Sequence, residues 1–529
     1  MKTVLIWGCL LEAVTDYICE QEGCESKKVQ GYSECALHCS KSSYSIDFKS
    51  SLLNNFYQCL FDYIVDFIYR SVESTSNENS FEISKKDIRK HLEGNHQRSL
   101  GFVIGELFVI FDKVQFPSRD DRDLFDYQKL LSRLDAIHFH RCSFSGSTLS
   151  LDKVKVFYQD CIFSNKWDMS PAELLPNVNG VIYQDCIFEG NVYFWGESKR
   201  ATWSESYFCD CKFERELAFE NVSLSAPIFK NSYEEELSVG RLSFKGCEIH
   251  ARFDLCSAKI GCVFIVDTKF LDKFKLMNCF VERFSLSRAD FDKIFDVYAT
   301  KFGVFSFSKA ECNGFVNFED SEFGIGCVNS DCGIAKFEYA TFTSFANFRG
   351  AAFNLGLDLE RVNLDESPNF LNVSIESAGT NRETFRVIKD SFDGIGNHIE
   401  ANKYYVLEMK KYREELSQEP PSQEKFIFHL NSLISDFGNS YIRPIGWIVA
   451  TSIVFSLLVM GYEANVIYKC WIFKPYVWIS GPLNTVASNF LPFKRFLKEG
   501  MEFVSLIFYI LNAGLVWQTI VALKRHSRR

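Results

Sequence analysis

The sequence has no Gly-x-x-x-x-Gly-Lys-Ser/Thr phosphate loop, no Gly-x-Ser-x-Gly elbow, no His-Glu-x-x-His pair and no Gly-x-Gly-x-x-Gly fingerprint. Nucleotide binding, serine hydrolysis, zinc proteolysis and hydride transfer on their usual scaffolds are thereby excluded, and no enzyme is expected. Positive charge is also short. Against 68 Asp and Glu the chain sets 58 Lys and Arg, a net charge of −10, whereas a nucleic-acid binder needs a basic face. The imbalance is local, because residues 136–376 hold 34 acidic and 24 basic residues and so account for all of it. No nucleic-acid partner is expected. An even cysteine count is missing too: there are 19. Most stand singly among apolar residues, as in Cys161-Ile162-Phe163 and Cys186-Ile187-Phe188, where a reduced thiol acts as a small hydrophobe. This reads as core thiols in a reducing compartment, not as a disulfide framework. A secretion signal is not expected at Met1–Leu11. Its apolar run has one positive charge and is stopped by Glu12, and Trp7 spoils a lipoprotein-type box before Cys9; a short buried strand or helix is the expectation there.

Phenylalanine, by contrast, is abundant, at 53 residues. From residue 136 the aromatics recur at intervals of five: Phe139 and Phe144, Phe208 and Phe213, Phe302 and Phe307, Phe318 and Phe323, Phe337 and Phe342, Phe348 and Phe353. The gaps between pairs are six or eleven, as from Phe307 to Phe318. Tyr158-Gln159-Asp160-Cys161-Ile162-Phe163 recurs as Tyr183-Gln184-Asp185-Cys186-Ile187-Phe188. Small residues often stand two before the aromatic: Ala289 before Phe291, Ser321 before Phe323, Ala351 before Phe353. A period of five suits neither a helix nor a plain strand. It suits a chain that turns a corner every five residues and stacks one central side chain per face inward, coil upon coil. Pro171, Pro176 and Glu234–Glu236 mark loops bulging from this rod.

On these residues, segment 136–376 resembles the Phe-rich pentapeptide-repeat proteins. The resemblance implies a mainly β fold, a right-handed quadrilateral β-helix of about four pentapeptides per coil. Some soluble members of that family imitate the shape and charge of duplex DNA and bind topoisomerases; the acidic rod is compatible with that, while membrane tethering and inserted loops count against it.

Before the rod, residues 1–45 are cysteine-rich and residues 46–135 show mixed, partly helical periodicity, with Phe56, Leu60, Tyr63, Ile64, Phe67 and Ile68 at helical spacing and a polar linker at Ser74–Ser80. After the rod, residues 380–440 predict amphipathic helices. Phe385, Ile388, Phe392, Ile395, Ile399, Tyr404 and Leu407 form a stripe that Gly394 and Gly396 interrupt, and Pro420-Pro421 ends it. Phe426, Ile427, Leu430, Leu433, Ile434 and Phe437 predict a short helix at a membrane surface. Within 441–529, residues 445–462 and 503–523 carry no charge and each reaches the length of a transmembrane helix. Arg443 and the run Lys524, Arg525, Arg528 and Arg529 are candidate cytoplasmic anchors. They predict a multi-pass protein of the inner membrane, with the β-helix and both termini in the cytosol. Lys469, Lys474, Lys494, Arg495 and Lys498 in the aromatic connecting segment weigh the other way.

Cys19-x4-Cys24-x10-Cys35-x2-His38, followed by Cys39, offers three thiolates and an imidazole at spacings that suit a tetrahedral zinc ion. His38 and Cys39 are both candidates for the fourth ligand. The stretch resembles small Cys3His knuckles at the start of bacterial pentapeptide-repeat membrane proteins. Four protein ligands imply a closed, structural site.

Two functions remain open. In the first, a membrane-anchored scaffold or sensor presents its acidic β-helix face to a protein partner. In the second, a homo-oligomer forms a two-helix ion channel gated by the rod, of the kind that would suit a stress or phage-defence effector. Asn512, Gly514, Gln518 and Thr519 form a polar or small stripe on the second span that serves either a pore or helix packing. Residues 481–492 could make a re-entrant turn, but of a Thr-Val-Gly-Tyr-Gly filter only Thr485-Val486 is present.

Overall fold

A bulky side chain can face inward every fifth residue only if the backbone turns a corner at each repeat and finds hydrogen-bond partners in the coils above and below. In the computed structural model the chain does this, forming a parallel β-solenoid of about ten turns. The structure describes residues 18–41, 49–75, 83–93, 107–118, 127–149, 151, 154–169, 180–196, 200–230, 237–326, 333–417, 420, 423–468 and 497–527. The Met1–Leu11 run, residues 76–80 of the Ser74–Ser80 linker, the Pro171, Pro176 and Glu234–Glu236 loops, residues 469–496 of the connecting segment with the re-entrant turn, and Arg528 and Arg529 lie outside them.

The chain divides into two compact units. In the first, one regular coil advances 21 residues, so that Lys259, Phe280, Lys301 and Glu322 are stacked in register. Going round a coil, the buried inward residues are Phe302, Phe307, Cys312 and Phe318, and the next coil opens at Phe323. The steps are five, five, six and five, which explains the sequence gaps. An interval of six is one longer side of the coil, and one of eleven is a place where a smaller residue, Cys312 or Val297, takes the inward position.

The interior is columnar. Phe116, Phe144, Phe163, Phe188 and Phe213 stack with ring centroids 4.9, 5.0, 4.6 and 5.0 Å apart, close to the spacing of about 4.8 Å between neighbouring strands. A second column runs Phe111, Phe139, Tyr158, Tyr183, Phe208. The columns meet edge to face, as Phe139 does Phe144 at 87°, the arrangement the ring quadrupole favours. Corners have their own chemistry. Arg141, Asp160, Asp185, Asp210, Asp267, Asn278, Arg288 and Asp320 all take φ between 50° and 55°, a region Asp and Asn tolerate better than most. The next residue is small and buried: Cys142, Cys161, Cys186, Cys211, Ala289 and Ser321. The thiols among them donate to carbonyls of the adjacent coil, Cys161 to Phe139 and Cys186 to Tyr158.

Strand pairing begins before the pentad pattern is legible, with Phe108–Asp112 on Ala136–His140. Helix α1, Lys49–Thr75, covers this end. Its Phe56 meets Phe116 and Tyr127 edge to face, and Tyr63 stacks on Phe111. Helices α2 (Lys85–Leu92) and α3 (Tyr127–Leu131) complete the unit's helices among the described residues. On the outer surface charges pair between coils, Arg288 with Asp267, Lys245 with Glu220 and Lys273 with Asp296. Solvent screens surface pairs of this kind, so they add little to stability.

The second unit is built on helices α4 (Arg382–Gly394), α5 (His398–Ser417), α6 (Gln423–Ser435), α7 (Ile442–Tyr468) and α8 (Glu502–Ser527). The Asn381 side chain caps α4 by accepting from the Thr384 amide at 2.8 Å. Gly396, at φ +76°, turns the chain into α5, and Phe392 stacks on Tyr404 across the hairpin. Helices α7 and α8 are both long and apolar enough to cross a membrane.

Candidate metal centre

The segment Ile18–Lys41 has too few apolar residues for a core of its own, and its backbone is organised by turns. An isolated antiparallel bridge joins Ile18 to Lys27. Gly23 (φ +81°) and Gly31 (φ +87°) take left-handed conformations that other residues seldom adopt. The Cys24 amide bonds the Gln21 carbonyl, and the His38 and Cys39 amides bond the Cys35 carbonyl, which wraps the last ligands into one turn.

These turns bring Cys19, Cys24, Cys35 and His38 together, with one ligand atom from each within 4.8 Å of all the others. Cys24 Sγ is 3.8 Å from Cys35 Sγ, and His38 Nδ1 is 3.5 Å from Cys19 Sγ and 3.3 Å from Cys35 Sγ. A tetrahedron with metal–sulfur bonds of about 2.3 Å has edges of about 3.8 Å, and slightly shorter ones to a nitrogen, so the donor set has the size a tetrahedral ion requires. The Cys35 amide also donates to Cys19 Sγ at 3.3 Å. Cys39 is turned away and fully buried against Ala36, Val29, Tyr32 and Cys59. Among the described residues this is the one group of three or more His, Cys, Asp or Glu side chains close enough to hold a metal.

The electrostatics suit a ligand set that needs its metal. Burial pushes the Cys35 thiol up to about 12, with the Cys24 and Cys19 charges adding to the effect. It also holds His38 below its ordinary value of 6.5, assisted by the Lys41 charge. A neutral imidazole is the ligand form, and a divalent cation supplies the charge that lets crowded thiols ionise.

Lys41 carries no signal in the sequence, where a lysine after Ser40 reads as solvated. It is buried, donating to the carbonyls of Cys39 at 2.9 Å and Leu37 at 3.2 Å, and lies 4.8 Å over the Phe56 ring. Desolvation draws its pKa down to about 8. The Gln115 amide bonds the Leu37 carbonyl. The module is thus tied to both α1 and the first coil.

The candidate stripe on α8 is divided. Asn512 Oδ1 accepts from the Thr451 hydroxyl of α7 at 2.9 Å, and Gln518 Oε1 accepts from the Ser435 hydroxyl of α6 at 3.2 Å. Thr519 donates to the Leu515 carbonyl of its own helix, and Gly514 faces open space. Of the candidate anchors, Arg443 lies 3.8 Å from Asp436, while Lys524 and Arg525 lie in the last turn of α8, the Arg525 guanidinium sitting over Tyr405 and bonding the Phe437 carbonyl. His138 and His140 serve the solenoid surface, bonding Gln159 at 3.1 Å and Asp112 at 2.9 Å.

Compared with known proteins, the chain matches no family model, no curated protein and no solved structure.

Proposed function

We propose that this chain is a membrane-anchored pentapeptide-repeat protein without catalytic activity, whose acidic solenoid is a cytosolic scaffold for a protein partner. The observation that carries this reading is the extensive exposed apolar surface of α7 and α8. They expose Ile445, Val449, Ile453, Leu457, Ile510, Leu511, Trp517 and Ile520, while Ser505 and Ala522 are fully buried and Asn512 is half-buried. Only an apolar surrounding stabilises that arrangement. With two spans the solenoid and the basic residues after α8 share one side of the membrane, and the Lys/Arg run of that end supports the cytosol of a bacterial inner membrane. The five-residue period, the small residue that often stands two before the aromatic and the coil of 21 residues support the pentapeptide-repeat assignment.

The Cys19, Cys24, Cys35 and His38 site holds a structural zinc ion in this reading. Soft sulfur with one imidazole, four donors and no open position are the features of closed zinc sites. The protein assembles as a homo-oligomer through its spans. The hydrogen bonds of Asn512 and Gln518 within the chain support a packing role for these side chains over a water-lined pore.

The test is alkaline carbonate extraction of membranes, followed by the mass and zinc content of the detergent-purified protein. Retention in the membrane with one zinc per chain is expected. Release into the soluble fraction would overturn the anchoring. A tetramer or larger ring that passes ions in liposomes, and stops doing so on Asn512→Leu, would replace the scaffold by the channel.

A further inference from the structure

Helix α6 is assembled inside out. A helix on a water-facing surface turns its polar side chains outward and its apolar stripe toward the protein. Here Phe426 is 69% exposed, Ile427 61% and Leu433 51%, while Ser432 is 8% and Ser435 0% exposed. The protein-facing side is held by polar contacts. Arg413 donates to the Ser432 hydroxyl at 2.6 Å, and the Ser435 hydroxyl donates to Gln518. One aromatic, Phe428, is wedged against Tyr412 at 4.8 Å and Phe437 at 6.0 Å, which fixes the rotation of the helix and leaves Phe426, Leu430 and Leu433 at i, i+4 and i+7 on the open side.

The position of α6 along α8 identifies what covers that side. Its last residue reaches Gln518, and the turn after it, at Phe437, is bonded by Arg525. Gln518 and Arg525 are seven residues apart on one helix, about 10 Å along its axis. If α8 crosses the bilayer with Arg525 at the headgroups, the end of α6 lies at the headgroup–acyl boundary, the depth at which interfacial helices bury their apolar face by about 5–10 Å.

We infer that α6 is a third membrane-contacting element, an interfacial helix whose Phe426, Ile427, Leu430 and Leu433 side chains are embedded among lipid acyl chains beside the spans. This rests on the membrane reading of α7 and α8. It makes the α6–α7 turn a fixed point at the bilayer surface.

The test is photocrosslinking with p-benzoylphenylalanine placed singly at Phe426, at Leu430 and, on the span, at Ile510, in the full chain reconstituted in phosphatidylcholine liposomes. All three positions lie on the exposed side of their helices. Irradiation is expected to add the mass of one phospholipid at all three. Lipid adducts at Ile510 with none at Phe426 and Leu430 would overturn the inference and leave the membrane reading standing. Chain-to-chain adducts at Phe426 and Leu430 would overturn it equally, making α6 a contact between copies. Absence of lipid adducts at Ile510 would remove the membrane reading and this inference with it.

Discussion

Replacing Phe188 by alanine tests the columnar core where its geometry is most regular. The ring is fully buried. It lies face to face with Phe163 at 4.6 Å and with Phe213 at 5.0 Å, and edge-on to Tyr183 at 5.4 Å and Phe208 at 5.8 Å. Truncating a buried phenylalanine costs about 3–5 kcal/mol. Aromatic pairs add about 0.5–1.5 kcal/mol each beyond area, and a ring with four partners belongs at the upper end of the range. In a solenoid each coil contacts only its neighbours, so the loss should be local. Phe264 supplies the contrast: it belongs to the same fold but is 44% exposed, and Phe264→Ala should cost less than about 0.5 kcal/mol. The assay is amide hydrogen exchange read by mass spectrometry on the full chain in detergent. Peptides covering the coils of Phe163, Phe188 and Phe213 should exchange on the order of 1,000-fold faster, about 4 kcal/mol or more, with distant coils unchanged. Equal effects of the two substitutions, or a uniform loss of protection along the whole rod, would refute the column as the unit of stability.

Three further outcomes follow from the structure. Cys19→Ser, Cys24→Ser or Cys35→Ser should each abolish stoichiometric metal binding and loosen Ile18–Lys41, whereas Cys39→Ala should keep the metal and lose only packing; metal analysis of the purified variants decides, and metal loss from Cys39→Ala would move the fourth ligand. Gly261→Ala should destabilise the solenoid by about 1–3 kcal/mol, because the new methyl would lie 2.4 Å from the Gly240 carbonyl oxygen of the coil below; an unchanged thermal midpoint would contradict this close approach. In the metal-free protein, His38 is held below 6.5 in the fold by burial, so below pH 6.5 the unfolded chain takes up the proton first. The stability this provides is complete above about 6.5 and is lost as pH falls toward the folded value, and in denaturant titrations of the chelated protein His38→Asn should lose this component.

Much of the core was legible along the chain, and for one reason. A solenoid repeats the same environment at a fixed interval, so Phe302, Phe307, Phe318 and Phe323 announce their burial by spacing alone. The apolar lengths of α7 and α8 and the clustering of Cys19, Cys24, Cys35 and His38 are local signals of the same kind. Less legible was the start of the solenoid. Phe108–Asp112 and Gln115–Phe116 pair with later strands, but one coil interrupted by α3 shows no period. The left-handed corners were also hidden, because Arg141 and Arg288 occupy positions that Asp and Asn mark elsewhere.

What the sequence by itself determined was periodicity: a five-residue rule that forces a coiled, parallel β-core, two uncharged runs long enough for a bilayer, and a ligand set of the right elements. What only the tertiary structure decided was direction. Whether His38 or Cys39 faces the thiols depends on a single turn around Cys35. Whether Lys41 is solvated depends on where α1 places Phe56. Whether the stripe on α8 meets water or protein depends on Thr451 and Ser435 arriving from other helices. Spacing along a chain specifies which residues share a face, but what a face touches is settled by segments distant in sequence, whose arrival minimises the cost of burying polar groups without partners.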